Sequence, residues 1–297
     1  MIVVTGASGF IGSAILRHLR GAGVGVARVT RDEHERNESR VYLSKYTSAD
    51  LALLFQELQP TAIIHTAGSA SVADSLRAPD LDFRNSVDVY QRVLEAVRLS
   101  AKLPRVVLLT SAAVYGNPLV LPVNEGSLLK PISPYGFHKK ICEELAQEYT
   151  QCYQIPTTVA RIFSVFGVGQ RRLLIWDLVR KFLDDECVQL SGTGEETRDF
   201  LHVDDLAAQI CQLVEHARLP HEVFNLGSGE ARSVRQVAES VRRILGSSKE
   251  IVFDGSIRPG DPRAWQADIS RLERQIGPPL IHDFEVRLDQ TIEGWLK

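Results

Sequence analysis

Tyr135 and Lys139 stand four residues apart, so on a helix their side chains share one face. A phenol with an ordinary pKa of about 10 is neutral at pH 7, and an ammonium beside it favours the phenolate. That pairing brings the hydroxyl into range for proton transfer to or from a substrate oxygen. Ser111 closes the apolar run RVVLLTS (residues 105–111) that reads as the strand before this helix. A hydroxyl at a strand end either orients a substrate oxygen or caps a turn; with Tyr135 and Lys139 following, the first is expected. Thr5-Gly6-Ala7-Ser8-Gly9-Phe10-Ile11-Gly12 offers a different chemistry. Its G-x-x-G-x-x-G spacing, between a short apolar strand and a helix, suits the pyrophosphate of a dinucleotide. Gly6 permits the tight turn, Gly9 lets the backbone approach, Gly12 lets the helix pack on the sheet, and the helix amides face the anion.

These groups need a scaffold that brings them to one edge. Residues 2–5, 24–30, 62–66, 105–111 and 156–163 read as buried strands, being apolar and rich in β-branched residues. Between them, residues 10–20, 48–58, 82–99 and 133–153 read as helices, the last opening on Ser-Pro. Alternation of this kind implies a parallel sheet with right-handed crossovers. After Phe163 the rhythm changes to a helix at 173–183, a loop at 191–197 and a helix at 206–216 preceded by Asp204 and Asp205. A strand at 222–226, a helix at 234–245, a strand at 250–253 and a last helix follow. Two lobes on one continuous core are expected: residues 1–163 plus about 200–226 for the dinucleotide, and 164–199 with 227–297 for a substrate.

The second strand ends in Arg28-Val29-Thr30-Arg31-Asp32. A free ribose 2′-hydroxyl usually meets an acidic residue here, whereas an arginine accommodates a 2′-phosphate. Arg31 therefore tilts the expectation to NADP over NAD. The alternative is that Arg31 is a solvated charge and Asp32 reaches the ribose. Composition removes other classes. Among 297 residues, 34 Lys and Arg face 37 Asp and Glu, a net charge of −3 with no basic run, so nucleic acid is not the expected partner. No apolar stretch reaches the roughly 18–20 residues of a membrane span. The four cysteines have no CxxC spacing, so neither a metal site nor a disulfide framework is expected, and the cytoplasm is the expected compartment.

At this point the chain resembles the extended short-chain dehydrogenases/reductases that act on nucleotide sugars, the epimerase, dehydratase and reductase group. Thr5–Gly12 matches the TGxxGxxG of that family, and His65-Thr66-Ala67-Gly68 resembles its motif after the fourth strand. Asn85 falls where the family has an Asn near the cofactor. Residues 110–116 (TSAAVYG) resemble the catalytic-serine segment, and Ser133-Pro134-Tyr135-Gly136 with Lys139 the YxxxK. Residues 198–205 (RDFLHVDD), 224–227 (FNLG) and 258–261 (RPGD) resemble second-lobe motifs. The resemblance implies a Rossmann-type, doubly wound parallel α/β sheet with a smaller C-terminal α/β substrate lobe. It implies Tyr135 as acid/base, Lys139 on the nicotinamide ribose, Ser111 on the sugar oxygen, and Arg258 with Arg198 on the diphosphate of a nucleoside-diphosphate sugar. It also implies a homodimer formed through the helices at 82–99 and 133–153.

Departures from the pattern narrow the chemistry. Dehydratases of the group carry an Asp-Glu pair after the catalytic Ser or Thr, where this chain has Ala112 and Ala113. The Asn that often follows the sixth strand in the epimerases, a substrate contact, is Ser164, and the acidic residue usual after the third strand is missing around residues 45–48. Gln170-Arg171-Arg172 adds two cations near the expected substrate entrance. Arg31 and the missing acidic residue point to an NADPH-dependent reductase of a nucleotide-linked 4-keto-sugar. The alternatives are a 4-epimerase with tightly held NAD and, remotely, a dinucleotide-sensing regulator without turnover.

Overall fold

In a computed structural model the described residues are 1–31, 41–43, 46–218, 220–256 and 260–297. The chain opens with β1 (Ile2–Thr5), α1 (Phe10–Gly21), β2 (Val26–Thr30), β3 (Val41–Leu43), α2 (Ser48–Leu58) and β4 (Ala62–His65). Then come α3 (Val72–Arg77), α4 (Pro79–Phe83), α5 (Val89–Arg98), β5 (Arg105–Ser111), α6 (Pro134–Tyr153) and β6 (Thr157–Ile162). β7 (Ser164–Phe166), α7 (Leu174–Asp184), β8 (Val188–Leu190), β9 (Thr197–His202), α8 (Val203–His216) and β10 (His221–Leu226) follow. β11 (Ala231–Ser233), α9 (Val234–Ile244), β12 (Ile251–Phe253), α10 (Ser270–Ile276) and α11 (Phe284–Leu296) complete the chain.

The central sheet is parallel throughout, in the order β3-β2-β1-β4-β5-β6-β10. Its strands are buried on both sides because side chains alternate between two apolar layers. Ile2, Val4, Ile64 and Val107 face a layer with Ile15 and Leu19 of α1 and Leu206 and Ile210 of α8. Val3, Ile63, Val106 and Leu108 face the other, with Phe55 of α2, Leu94 of α5 and Tyr149 of α6. The strand order reverses between β1 and β4, which opens a crevice at their carboxyl ends.

A second region packs around Phe166, Leu178, Phe182, Phe200, Val241, Phe284 and Leu288. Its sheet runs β11-β9-β7, with β7 parallel and β11 antiparallel to β9, beside a parallel pair β8–β12. Two expectations need correction. The helix read at residues 82–99 is α4, a π-helical turn over Arg84–Asp88, and then α5. Helical periodicity is nearly blind to the extra residue a π-turn inserts. The helix read from residue 206 begins at Val203, with the His202 ring accepting the Asp204 N–H, so Asp204 and Asp205 lie inside its first turn.

Candidate functional site

The glycine turn lies at the crevice. Gly6 has φ +70°, and a Cβ there would sit 2.5 Å from the Ala67 amide, so the turn and the segment after β4 touch backbone to backbone. Gly9 caps α1 with no side-chain acceptor, which leaves the positive end of a twelve-residue helix to an incoming anion. Phe10 and Ile11 open that helix half-buried, and Gly12 is buried against the turn. Ser8 is exposed and its hydroxyl bonds that of Thr30 at 2.7 Å, tying the turn to the end of β2. These features fit the pyrophosphate of a dinucleotide.

At the far end of β2, exposed Arg31 stands with its guanidinium 5.9 Å from the centre of the Tyr46 ring. Tyr46 was not anticipated. It is buried, holds φ +57°, accepts the Gly6 N–H at 2.9 Å and donates to the Val29 carbonyl at 3.1 Å. Burial raises its pKa, which the Gly6 amide and the Arg31 charge only partly oppose. The alternative ribose partner Asp32 lies outside the described residues, as does Arg258.

Tyr135 and Lys139 occupy the first turns of α6, whose start is fixed by Ser133 accepting the Gly136 N–H and by Pro134 at the first helical position. Lys139 is buried, and its ammonium lies 5.5 Å from the centre of the Tyr135 ring. The same ammonium faces Gly68: a Cβ built there would meet Lys139 Nζ at 3.3 Å and Ser86 Oγ at 3.7 Å. The π-turn brings Ser86 here, where its hydroxyl accepts the Ser69 N–H at 3.2 Å. Asn85 joins Gly68, Ser69, Asp74 and Arg172 around a cavity of about 420 Å³. Of the expected residues, Gly68 and Asn85 line the cavity and Lys139 stands against Gly68, while Ala67 meets the glycine turn at Gly6; Ser86 was missed because nothing in its neighbours marks a π-turn.

Ser111 is half-buried at the end of β5, and its Oγ accepts the Ala113 N–H at 3.2 Å. It caps the turn, the alternative to its expected role, and the cap still leaves its O–H to donate. Ala112 and Ala113 are buried with Tyr115, Phe163 and Trp265 in a small cluster on which Tyr135 packs. Arg198 is half-buried on the Trp265 ring at 5.5 Å and donates to the Thr197 carbonyl at 2.8 Å; burial lowers its pKa against the pull of Asp261 and Glu196. Ser164 begins β7, half-buried opposite Phe200. Asp205 is not part of this space. It is buried in an ion cluster with His282 at 2.7 Å and Arg287 at 2.6 Å, contacts that hold its pKa down against its burial.

A doubly wound parallel sheet with a glycine turn at its switch point and a Tyr–Lys helix alongside defines an extended short-chain dehydrogenase/reductase, an enzyme class. The model of the NAD dependent epimerase/dehydratase family matches residues 2–227, and the chain belongs to that family. UDP-glucose 4-epimerase of Azospirillum brasilense is 28% identical over 320 residues, covering 99% of this chain and 90% of that protein. The structure of MoeE5 in complex with UDP-glucose and NAD matches with a TM-score of 0.90 at 29% identity, covering 99% of this chain and 98% of that one. UDP-glucuronic acid 4-epimerase from Bacillus cereus, in complex with UDP-glucuronic acid and NAD, matches at 0.88 and 27% identity, with 99% and 98% covered. Both solved structures hold NAD, so the expected NADP preference and the expected reductase gain no support from them. Among the described residues no helix is long and apolar enough to cross a membrane.

Proposed function

We propose that the protein inverts C4 of a nucleoside-diphosphate hexose and keeps NAD bound through the cycle. The observation that carries this reading is Lys139 packed against Tyr135, beside a strand end where Ser111 is followed by two alanines. Such a site can exchange a proton at a carbinol but has no carboxylate pair with which to expel water. The 4-epimerases among the named relatives support the same choice, and the UDP-sugars in the two solved structures support a uridine diphosphate carrier.

A bound NAD would supply the hydride acceptor for C4 oxidation and the hydride donor for its reversal at the other face. Tyr135 accepts the C4 hydroxyl proton in the first half and gives it back in the second. Ser111 donates its O–H to the same oxygen, and Lys139 holds the ribose beside Tyr135. Gly6, Ser8, Gly9, Phe10, Ile11 and Gly12 would hold the pyrophosphate, and Ala67, Gly68 and Asn85 the nicotinamide half. Arg198 and Ser164 would face the sugar nucleotide from the second lobe, residues 164–199 and 227–297, with Arg258 as a further candidate. We also propose a cytoplasmic homodimer, for which exposed Leu81, Phe83 and Phe137 on α4 and α6 are suited; light scattering should return twice the chain mass.

Arg31 favours a second reading. Its cation at the end of β2 matches a 2′-phosphate, and an exchanging NADPH would suit a 4-keto-sugar reductase. Mass spectrometry of the dinucleotide released on denaturing the purified protein separates the two. Near-stoichiometric NAD, with epimerisation of UDP-glucose abolished in Tyr135→Phe, is the expected result. An empty site or released NADPH would overturn it in favour of the reductase.

A further inference from the structure

Behind the Tyr135–Lys139 face lies a buried polar cluster that the proton chemistry does not use. Tyr135, Lys139 and Glu143 follow one another by one turn of α6. The Glu143 side chain is 7% exposed and its carboxylate accepts from Thr110 Oγ1 at 2.8 Å, from Arg161 Nε at 3.1 Å and from Arg161 Nη2 at 2.7 Å. Arg161, 5% exposed, turns its remaining nitrogen to the Tyr115 hydroxyl and to the Glu125 carbonyl, both at 2.9 Å. The Tyr115 hydroxyl in turn donates to Asn225 at 2.7 Å.

The cluster is placed to measure one distance. Thr110 immediately precedes Ser111, and Arg161 is its partner across the β5–β6 pair. Glu143 sits on the helix that carries Tyr135. A buried ion pair adds little net stability over an apolar filling of the same volume, because both charges lose their water. It does fix geometry: a guanidinium fork on a carboxylate tolerates few orientations. We propose that Thr110, Glu143 and Arg161 are positioning residues that hold the Ser111 strand end in register with the Tyr135 face of α6. This inference rests on the epimerase reading above.

Thr110→Val tests it, since the change keeps shape and both charges and removes only the hydroxyl, which bonds Glu143 at 2.8 Å and lies 3.4 Å from the Ala160 carbonyl. With UDP-glucose as probe, kcat should fall about 10- to 100-fold while KM and bound NAD stay at wild-type levels. Thr110→Ser should restore kcat. Glu143→Gln should show the same split more strongly; should it fail to fold, the Thr110 pair still decides. Wild-type kcat in Thr110→Val overturns the positioning role alone, as does a loss that Thr110→Ser does not rescue or that appears in KM. A wild-type protein that turns over no UDP-hexose overturns the epimerase reading and this role with it.

Discussion

His65 offers a quantitative test of how the strand ends are built. It closes β4 with 2% of its surface exposed; its Nδ1 lies 2.7 Å from Thr5 Oγ1, and its Nε2 has no hydrogen-bond partner among the described residues. A proton on Nε2 would be buried without an acceptor, next to the Lys139 ammonium. Burial first and Lys139 second hold the pKa down from 6.5 to about 3. The unfolded chain therefore binds a proton below pH 6.5 that the folded chain refuses until about pH 3. The contribution of His65 to stability is thus intact above pH 6.5 and is lost as pH falls through that window. The slope is about 1.4 kcal/mol per pH unit, which integrates to about 2 kcal/mol between pH 7 and pH 5. Urea denaturation of the parent and of His65→Gln at the two pH values reads this directly. The variant should lose about 2 kcal/mol less than the parent, because glutamine bonds without titrating. His202, whose pKa burial also lowers, contributes equally to both proteins and cancels. Identical pH dependence in parent and variant would refute the reasoning.

Three further outcomes follow from single positions. Gly68→Ala forces a side chain into φ +147° and against Lys139 Nζ, so kcat should fall about tenfold in a steady-state assay and Tm should drop by a few degrees, the cost of the strained backbone being about 1–3 kcal/mol. Asp199 is buried and accepts from the amides of Ser228 at 2.6 Å, Gly229 at 2.9 Å and Ala267 at 3.0 Å. Asp199→Asn turns a donor against those donors and should cost about 3 kcal/mol in a denaturation experiment. Tyr46→Phe removes the side-chain acceptor of the Gly6 N–H; a loss of about 1 kcal/mol is expected, with faster release of bound NAD in a dialysis assay.

Elements whose own residues dictate them were legible in the sequence. β1, α2 and β5 occupy the expected residues because each is an apolar run with a local stop or cap, such as the Thr47 hydroxyl that accepts the Asp50 N–H ahead of α2. β9 was not legible. Its sequence TRDFLH mixes charge with apolar residues, and Asp199 points inward only because amides far along the chain satisfy it. β7, β8 and β11, at three residues each, are too short to show a period.

The site divides along the same line. A strand end and the helix start after it are local facts, so the glycine turn, Ser111, Tyr135 and Lys139 could be assigned to one crevice before any contact was known. Arg198 on Trp265 and Tyr46 under the glycine turn depend on which loops meet, and no local pattern encodes that meeting. Glu143 is the instructive intermediate. Its spacing from Lys139 was visible, and a carboxylate on the buried face of a helix cannot remain without a cation. Neither Glu143 nor Arg161 was anticipated, although β6, otherwise apolar or hydroxylic, contains a single charged residue, Arg161, to meet that need.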